Sequence, residues 1–130
     1  MIVVISSTGK DITASIDPRF GRCAYYIAYD LEKDTFEAVE NRSRSATGGA
    51  GIQASQAVAD MNAGAVITTN IGPNAFRVLE AAGIKVYSGI TGTVKQAIED
   101  FKKGSLGAAG TPNVGEKFGM GQGQGRGGMN

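Results

Sequence analysis

Apolar side chains recur along this chain with two distinct periods. In three stretches they fall at i, i+3, i+4 and i+7: Ala54, Ala57, Val58 and Met61, then Ala75, Val78, Leu79 and Ala82, then Val94, Ala97, Ile98 and Phe101. That spacing lines one face of an α-helix. Gly64, Gly83 and Gly104 follow the three stretches, where a left-handed residue closes a helix. Pro73 suits a first helical position, and Thr93 with Gln96 makes a capping box. Elsewhere the apolar residues run together or alternate. Residues 2–5 form an unbroken β-branched run, as expected of a central strand covered on both faces. Residues 65–69 look similar, and 84–87 give a shorter, more polar strand suited to an edge. Residues 24–30 and 35–41, separated by Leu31-Glu32-Lys33-Asp34, read as an antiparallel hairpin. The predicted order is β β β α β α β α, an α/β fold with a five-stranded mixed sheet.

This order also places the loops. If the first strand ends at Ser6 and the hairpin continues its sheet, residues 6–23, 42–51, 70–74 and 89–93 share one edge. Open α/β sheets bind ligands beyond the carboxyl ends of their parallel strands, so this edge is the expected site. Glycine marks the other end of the chain, with 10 of the 20 glycines in residues 104–130. Few large apolar groups follow Leu106, too few to offset the entropy of ordering. A folded domain over 1–106 and a flexible Gly/Met-rich tail over 107–130 are expected.

Composition narrows the chemistry. A chain of 130 residues fits one domain with a core that needs no metal or disulfide staple. A net charge of +1 points to neither nucleic acid nor membrane. The lone cysteine excludes an intrachain disulfide and suggests a reducing compartment. Histidine is absent, which excludes a Ser-His-Asp hydrolase, a zincin and a His-tethered haem. The first residues are too short a run for a signal peptide, and no apolar run reaches about 18 residues, so a cytoplasmic domain is expected. Asp11 and Asp17 are the carboxylates on the candidate edge and the first strand offers none, so enzyme catalysis is not expected.

The edge itself is basic. Four of the six arginines, Arg19, Arg22, Arg42 and Arg44, fall in its first two segments. Cys23 lies beside two of them, and nearby cations favour the thiolate, the form that binds soft metals. The run Thr47-Gly48-Gly49-Ala50-Gly51 precedes a helix, where main-chain N–H groups and the helix dipole suit an anion. It is neither a Walker A loop nor a dinucleotide fingerprint. Asn70, with Gly72 and Pro73, forms a further strand-to-helix turn that could face the same ligand.

Together these pieces resemble the dinitrogenase iron–molybdenum cofactor biosynthesis family. The resemblance rests on DPRFGRCAYY (17–26), the Glu40-Asn41 pair, GGAGIQASQ (48–56), VITTNIGPNAFRVLEAAGIKVY (66–87) and TGTVKQAI (91–98), which span about 1–106. It implies a three-layer fold with a ribonuclease-H-like sheet motif. It also implies a non-catalytic role in binding or carrying a metal–sulfur cluster, either an iron–molybdenum precursor or a mixed molybdenum–copper sulfide. By position, Cys23 is the implied metal-proximal residue. Arg19, Arg22, Gly48, Gly49 and Gly51 are the implied anion cradle, and Arg42 and Asn70, read from the loops of the same edge, complete the candidate cluster-binding set. Cluster donor and acceptor proteins are the implied partners, with room for a homodimer. The residue pattern alone leaves a phosphate- or nucleotide-binding regulatory domain as the alternative.

Overall fold

The computed structural model describes residues 1–106; the expected tail, 107–130, lies outside the described residues. The chain forms strands β1 (Ile2–Ser7), β2 (Tyr25–Asp30), β3 (Thr35–Glu40), β4 (Ala63–Ile67) and β5 (Lys85–Tyr87). Helices α1 (Ala50–Asp60), α2 (Pro73–Ala81) and α3 (Val94–Lys102) join them, with a short 3-10 turn at Phe20–Arg22. The sheet order is β3-β2-β1-β4-β5. β2 pairs antiparallel with β1 and β3, whereas β4 pairs parallel with β1 and β5. The carboxyl ends of β1, β4 and β5 and the start of β2 therefore meet at one edge.

Strand alternation divides the core into two. Val4, Tyr26, Val66 and Val86 face α1 and α2, packing with Ala54, Val58, Ala75 and Leu79. Val3, Ile5, Ile27, Ala65 and Ile67 face the other way, against Val94, Ala97 and Ile98 of α3. Helices on both faces of the sheet make three layers. Each fully buried Val, Leu or Ile side chain contributes about 1.5–3 kcal/mol, so the two apolar faces fix the strand register.

The ends of the elements follow their predicted chemistry, with two corrections. Pro73 opens α2, and Thr93 Oγ1 accepts the Gln96 N–H at 3.1 Å. The Gln96 side chain turns instead to Asp100, so half of the expected capping box forms. Gly83 and Gly104 adopt the expected positive φ. Gly64 does not. After α1 the left-handed position falls on Asn62, at φ 62, and β4 begins earlier than the apolar run suggests. Gly64 sits at a register shift between β1 and β4, where an added Cβ would lie 2.8 Å from Met1 Cγ. Its missing side chain serves packing against the N-terminal residue.

Candidate functional site

Residues 8–23 must return from the end of β1 to the start of β2, and buried hydroxyls anchor the return. Ser6 Oγ donates to Asp17 O at 2.8 Å and pairs with Thr68 Oγ1 at 2.8 Å, tying the Asp-Pro-Arg-Phe-Gly stretch to the ends of β1 and β4. The Asn70 N–H donates to Pro18 O at 2.9 Å, and the Phe20 N–H to Asn70 O at 3.2 Å. Arg19 thus lies in a backbone bridge with Asn70. The 3-10 turn is then laid against the first turn of α1.

Glycine makes that approach feasible. A Cβ on Gly21 would meet Gly51 Cα at 3.0 Å, and a Cβ on Gly51 would meet Ala75 Cβ at 3.2 Å. Those two missing side chains let the 3-10 turn, α1 and α2 close on one another. Ser55 reinforces the join, its Oγ donating at 2.7 Å to Gly51 O and 3.2 Å from Ala75 O. Gly49, at φ 72, turns the chain into α1.

Between these three elements lies a cleft of about 370 Å³. Its floor is apolar, from Phe20, Ile71, Pro73 and Ala75, and its rim carries Arg19, Arg22, Gly49, Gly51 and Asn70. Both α1 and α2 open onto it with their N-termini. Among the described residues, the N–H groups of Ala50, Gly51, Ile52, Asn74 and Ala75 donate to no protein acceptor. Two helix dipoles therefore place partial positive charge at the same recess. The third helix is different. The N–H groups of Val94 and Lys95 donate to Ala14 O and Ile12 O, and Thr93 takes that of Gln96. Its N-terminus is closed by the protein, so residues 89–93 add no anion seat.

The structure brings together Arg19, Arg22, Gly49, Gly51 and Asn70 and sets the other expected residues apart. Arg22 lines the cleft, but its Nη1 donates to Arg44 O at 2.9 Å and Ala46 O at 2.5 Å, clasping the loop that leads to Gly49. Arg42 lines a separate recess with Tyr26, Val39 and Met61. Gly48 is not among the lining residues, and a Cβ there would project into open space. The low-lying thiolate expected at position 23 is also corrected. Cys23 is wholly buried in the α1–α2 core and donates from Sγ to Phe20 O at 3.4 Å. Burial raises its thiol from 9.0 to about 11, opposed by the Tyr26 hydroxyl and assisted by the Asp17 charge. The arginines do not reach it, because one clasps the neighbouring loop and the other faces Asp17. Tyr26, donating to Phe20 O, is itself raised, first by burial and then by Cys23.

Other residues at the site carried weaker sequence signals. Asn41 is buried and donates from Nδ2 to Gly21 O at 3.1 Å and Cys23 O at 3.0 Å, holding the 3-10 turn to the end of β3. Gly21, Ile52 and Asn74 line the cleft without any spacing rule that would single them out. Among the described residues no three His, Cys, Asp or Glu side chains gather where they could hold a metal ion. The cleft suits an anion that accepts hydrogen bonds and does not suit a bare cation. Among the same residues no helix is long and apolar enough to cross a membrane.

The family model described as dinitrogenase iron-molybdenum cofactor matches residues 1–104. The chain is similar to the apo form of the orange protein from Desulfovibrio gigas, with 38% identity and a TM-score of 0.84 over 86% of this chain and 95% of that one. It is similar to a NifB-like protein from Thermotoga, at 40% identity and TM-score 0.73, covering 82% and 91% of the two chains. An uncharacterised protein from Methanocaldococcus jannaschii is 33% identical over 94 residues, 70% of this chain and 80% of its own length.

Proposed function

Because the chain belongs to the dinitrogenase iron-molybdenum cofactor family, we infer that it binds and carries a preformed anionic metal–sulfur cluster, without transforming it, at the cleft between α1 and α2. The observation that carries this reading is the opening of two helix N-termini, beside Arg19, onto one recess. Thiometallate clusters are polyanions whose outer sulfides accept hydrogen bonds, which matches a rim of N–H donors and guanidinium. The donor set also limits what can be carried. One buried thiol cannot supply the four cysteines of an ordinary iron–sulfur centre, so the cargo brings its own sulfide shell. An iron–molybdenum precursor or a molybdenum–copper sulfide meets that requirement. Ala50, Gly51, Ile52, Asn74 and Ala75 would donate main-chain N–H groups, with Arg19 supplying charge. Donor and acceptor proteins are the partners such a carrier serves.

Anaerobic incubation of the full chain with tetrathiomolybdate and copper(I), or with an iron–sulfur precursor, tests this directly. Visible absorption bands co-eluting with the protein are expected, and they should be weakened in Gly49→Asp. Colourless protein under every such condition rejects the reading. The same helix N-termini would also receive phosphate. Saturable thermal stabilisation by nucleotides, with no cluster uptake, would instead identify a phosphate- or nucleotide-binding regulatory domain.

A further inference from the structure

Asp17 is a carboxylate that the cleft does not display. It is 5% exposed, and its Oδ1 accepts the Arg19 N–H at 3.0 Å. The same oxygen lies 3.6 Å from Arg19 Nε, while the Arg19 side chain is 60% exposed at the cleft rim. Among the described residues the terminal nitrogens of Arg19 make no hydrogen bond to protein. A negative charge is thus held behind the cation that faces the proposed anion. A side-chain acceptor for the Arg19 N–H needs no charge, since a neutral amide or hydroxyl oxygen makes the same turn. Placing a buried carboxylate there therefore does more than shape the loop.

We propose that Asp17 is a built-in counter-anion, acting through Arg19 as a positioning residue that keeps the cleft's hold on its anionic cargo weak. It pairs with the Nε side of the guanidinium, leaves the Nη nitrogens to the cleft, and offsets part of the charge the anion would otherwise meet. This inference rests on the anion-binding reading of the cleft. Its sign is unusual. A residue that merely maintained the loop would, on removal, weaken binding. Asp17 on removal strengthens it.

The experiment is an anaerobic titration of the full chain with tetrathiomolybdate, followed by absorbance, across a series of salt concentrations. Asp17→Asn keeps the acceptor for the Arg19 N–H and removes the charge; Asp17→Ser does the same with a shorter side chain, should the first fail to fold. Either folded variant is expected to bind about threefold to tenfold more tightly than the unaltered chain. Its affinity should also fall more steeply with salt, because one more net positive charge faces the ligand. In an Arg19→Ala background the gain should shrink, since Asp17 acts through that side chain. Binding by the unaltered chain, with equal or weaker binding by both Asp17 variants, overturns this inference and leaves the anion-binding reading standing. Absence of binding in every variant overturns both.

Discussion

Replacing Cys23 with alanine separates a hydrogen-bonded seat from a thiolate-ligated one. The side chain is wholly buried, so its removal leaves a small cavity and costs about 1–2 kcal/mol. For a domain of this size that lowers Tm by roughly 5–10 °C. Cluster uptake, by contrast, should be unchanged. The thiol is wholly buried in the core and raised by burial to about 11, so at pH 8 a metal would have to open the packing and displace the proton to reach it. The same shift has a pH signature. The thiol is raised in the folded state, so its contribution is complete below the unfolded value of 9.0 and is lost as pH climbs toward 11. That loss amounts to about 3 kcal/mol at most, and the alanine variant lacks it. Urea denaturation at pH 8 and at pH 10.5 should therefore show the unaltered protein losing more stability than Cys23→Ala. Uptake of thiomolybdate and copper, read from the visible bands, is the second assay. A variant with an unchanged melting temperature that takes up no cluster would refute this view of Cys23 as a packed, protonated core residue.

Three further substitutions probe the cleft and its supports. Gly49 occupies a left-handed conformation that Asn and Asp tolerate, and a Cβ there meets open space. Gly49→Asn should keep anion affinity in the titration, whereas Gly49→Asp should lower it about tenfold without loss of thermal stability, because a carboxylate suits a helix N-terminus. Gly51→Val forces methyl groups toward Ala75, whose Cβ would already lie 3.2 Å from the first carbon of any side chain at position 51; urea denaturation should report a loss of about 1–3 kcal/mol. Asn41→Leu leaves Gly21 O and Cys23 O without their side-chain donor, and a loss of about 2–3 kcal/mol is expected by the same measurement.

The sheet was legible because its strands carry unbroken apolar runs that only a two-sided core can bury. Val3 and Val4 face opposite layers, and both are buried. The three helices were legible through their periodic faces and through Pro73 and Thr93. Boundaries were less so. Asn62, and not Gly64, takes the positive φ after α1, and nothing in a one-dimensional pattern ranks those two residues. The candidate site divided along the same line. Loops that share an edge can be deduced from strand direction, and Arg19, Gly49, Gly51 and Asn70 do share one cleft. Which way a side chain points within a loop cannot be deduced so. Adjacency in sequence placed Arg22 beside Cys23, yet its guanidinium spans to Arg44 O and Ala46 O. Cys23 follows the 3-10 turn and packs inward, where burial governs its chemistry.

Parallel pairing explains why the donors concentrate at one place. β1, β4 and β5 run the same way, so α1 and α2 both descend from their shared carboxyl edge and begin side by side. Gly21, Gly51 and Ala75 allow those beginnings to come within van der Waals distance, bringing unpaired N–H groups from two helices to a single recess. On the proposed function this arrangement decides how cargo leaves. A cluster tied by thiolates departs through ligand exchange at the metal, a chemical step that needs a competing ligand or a proton on the thiolate. A cluster held by N–H groups and a guanidinium departs by breaking hydrogen bonds, with its inner shell intact. Its residence time is then set by local charge, and raising the salt concentration should speed release in proportion to the charge neutralised. A thiolate-anchored cluster would show no such dependence, which makes the salt sensitivity of release the physical consequence that separates the two modes of holding.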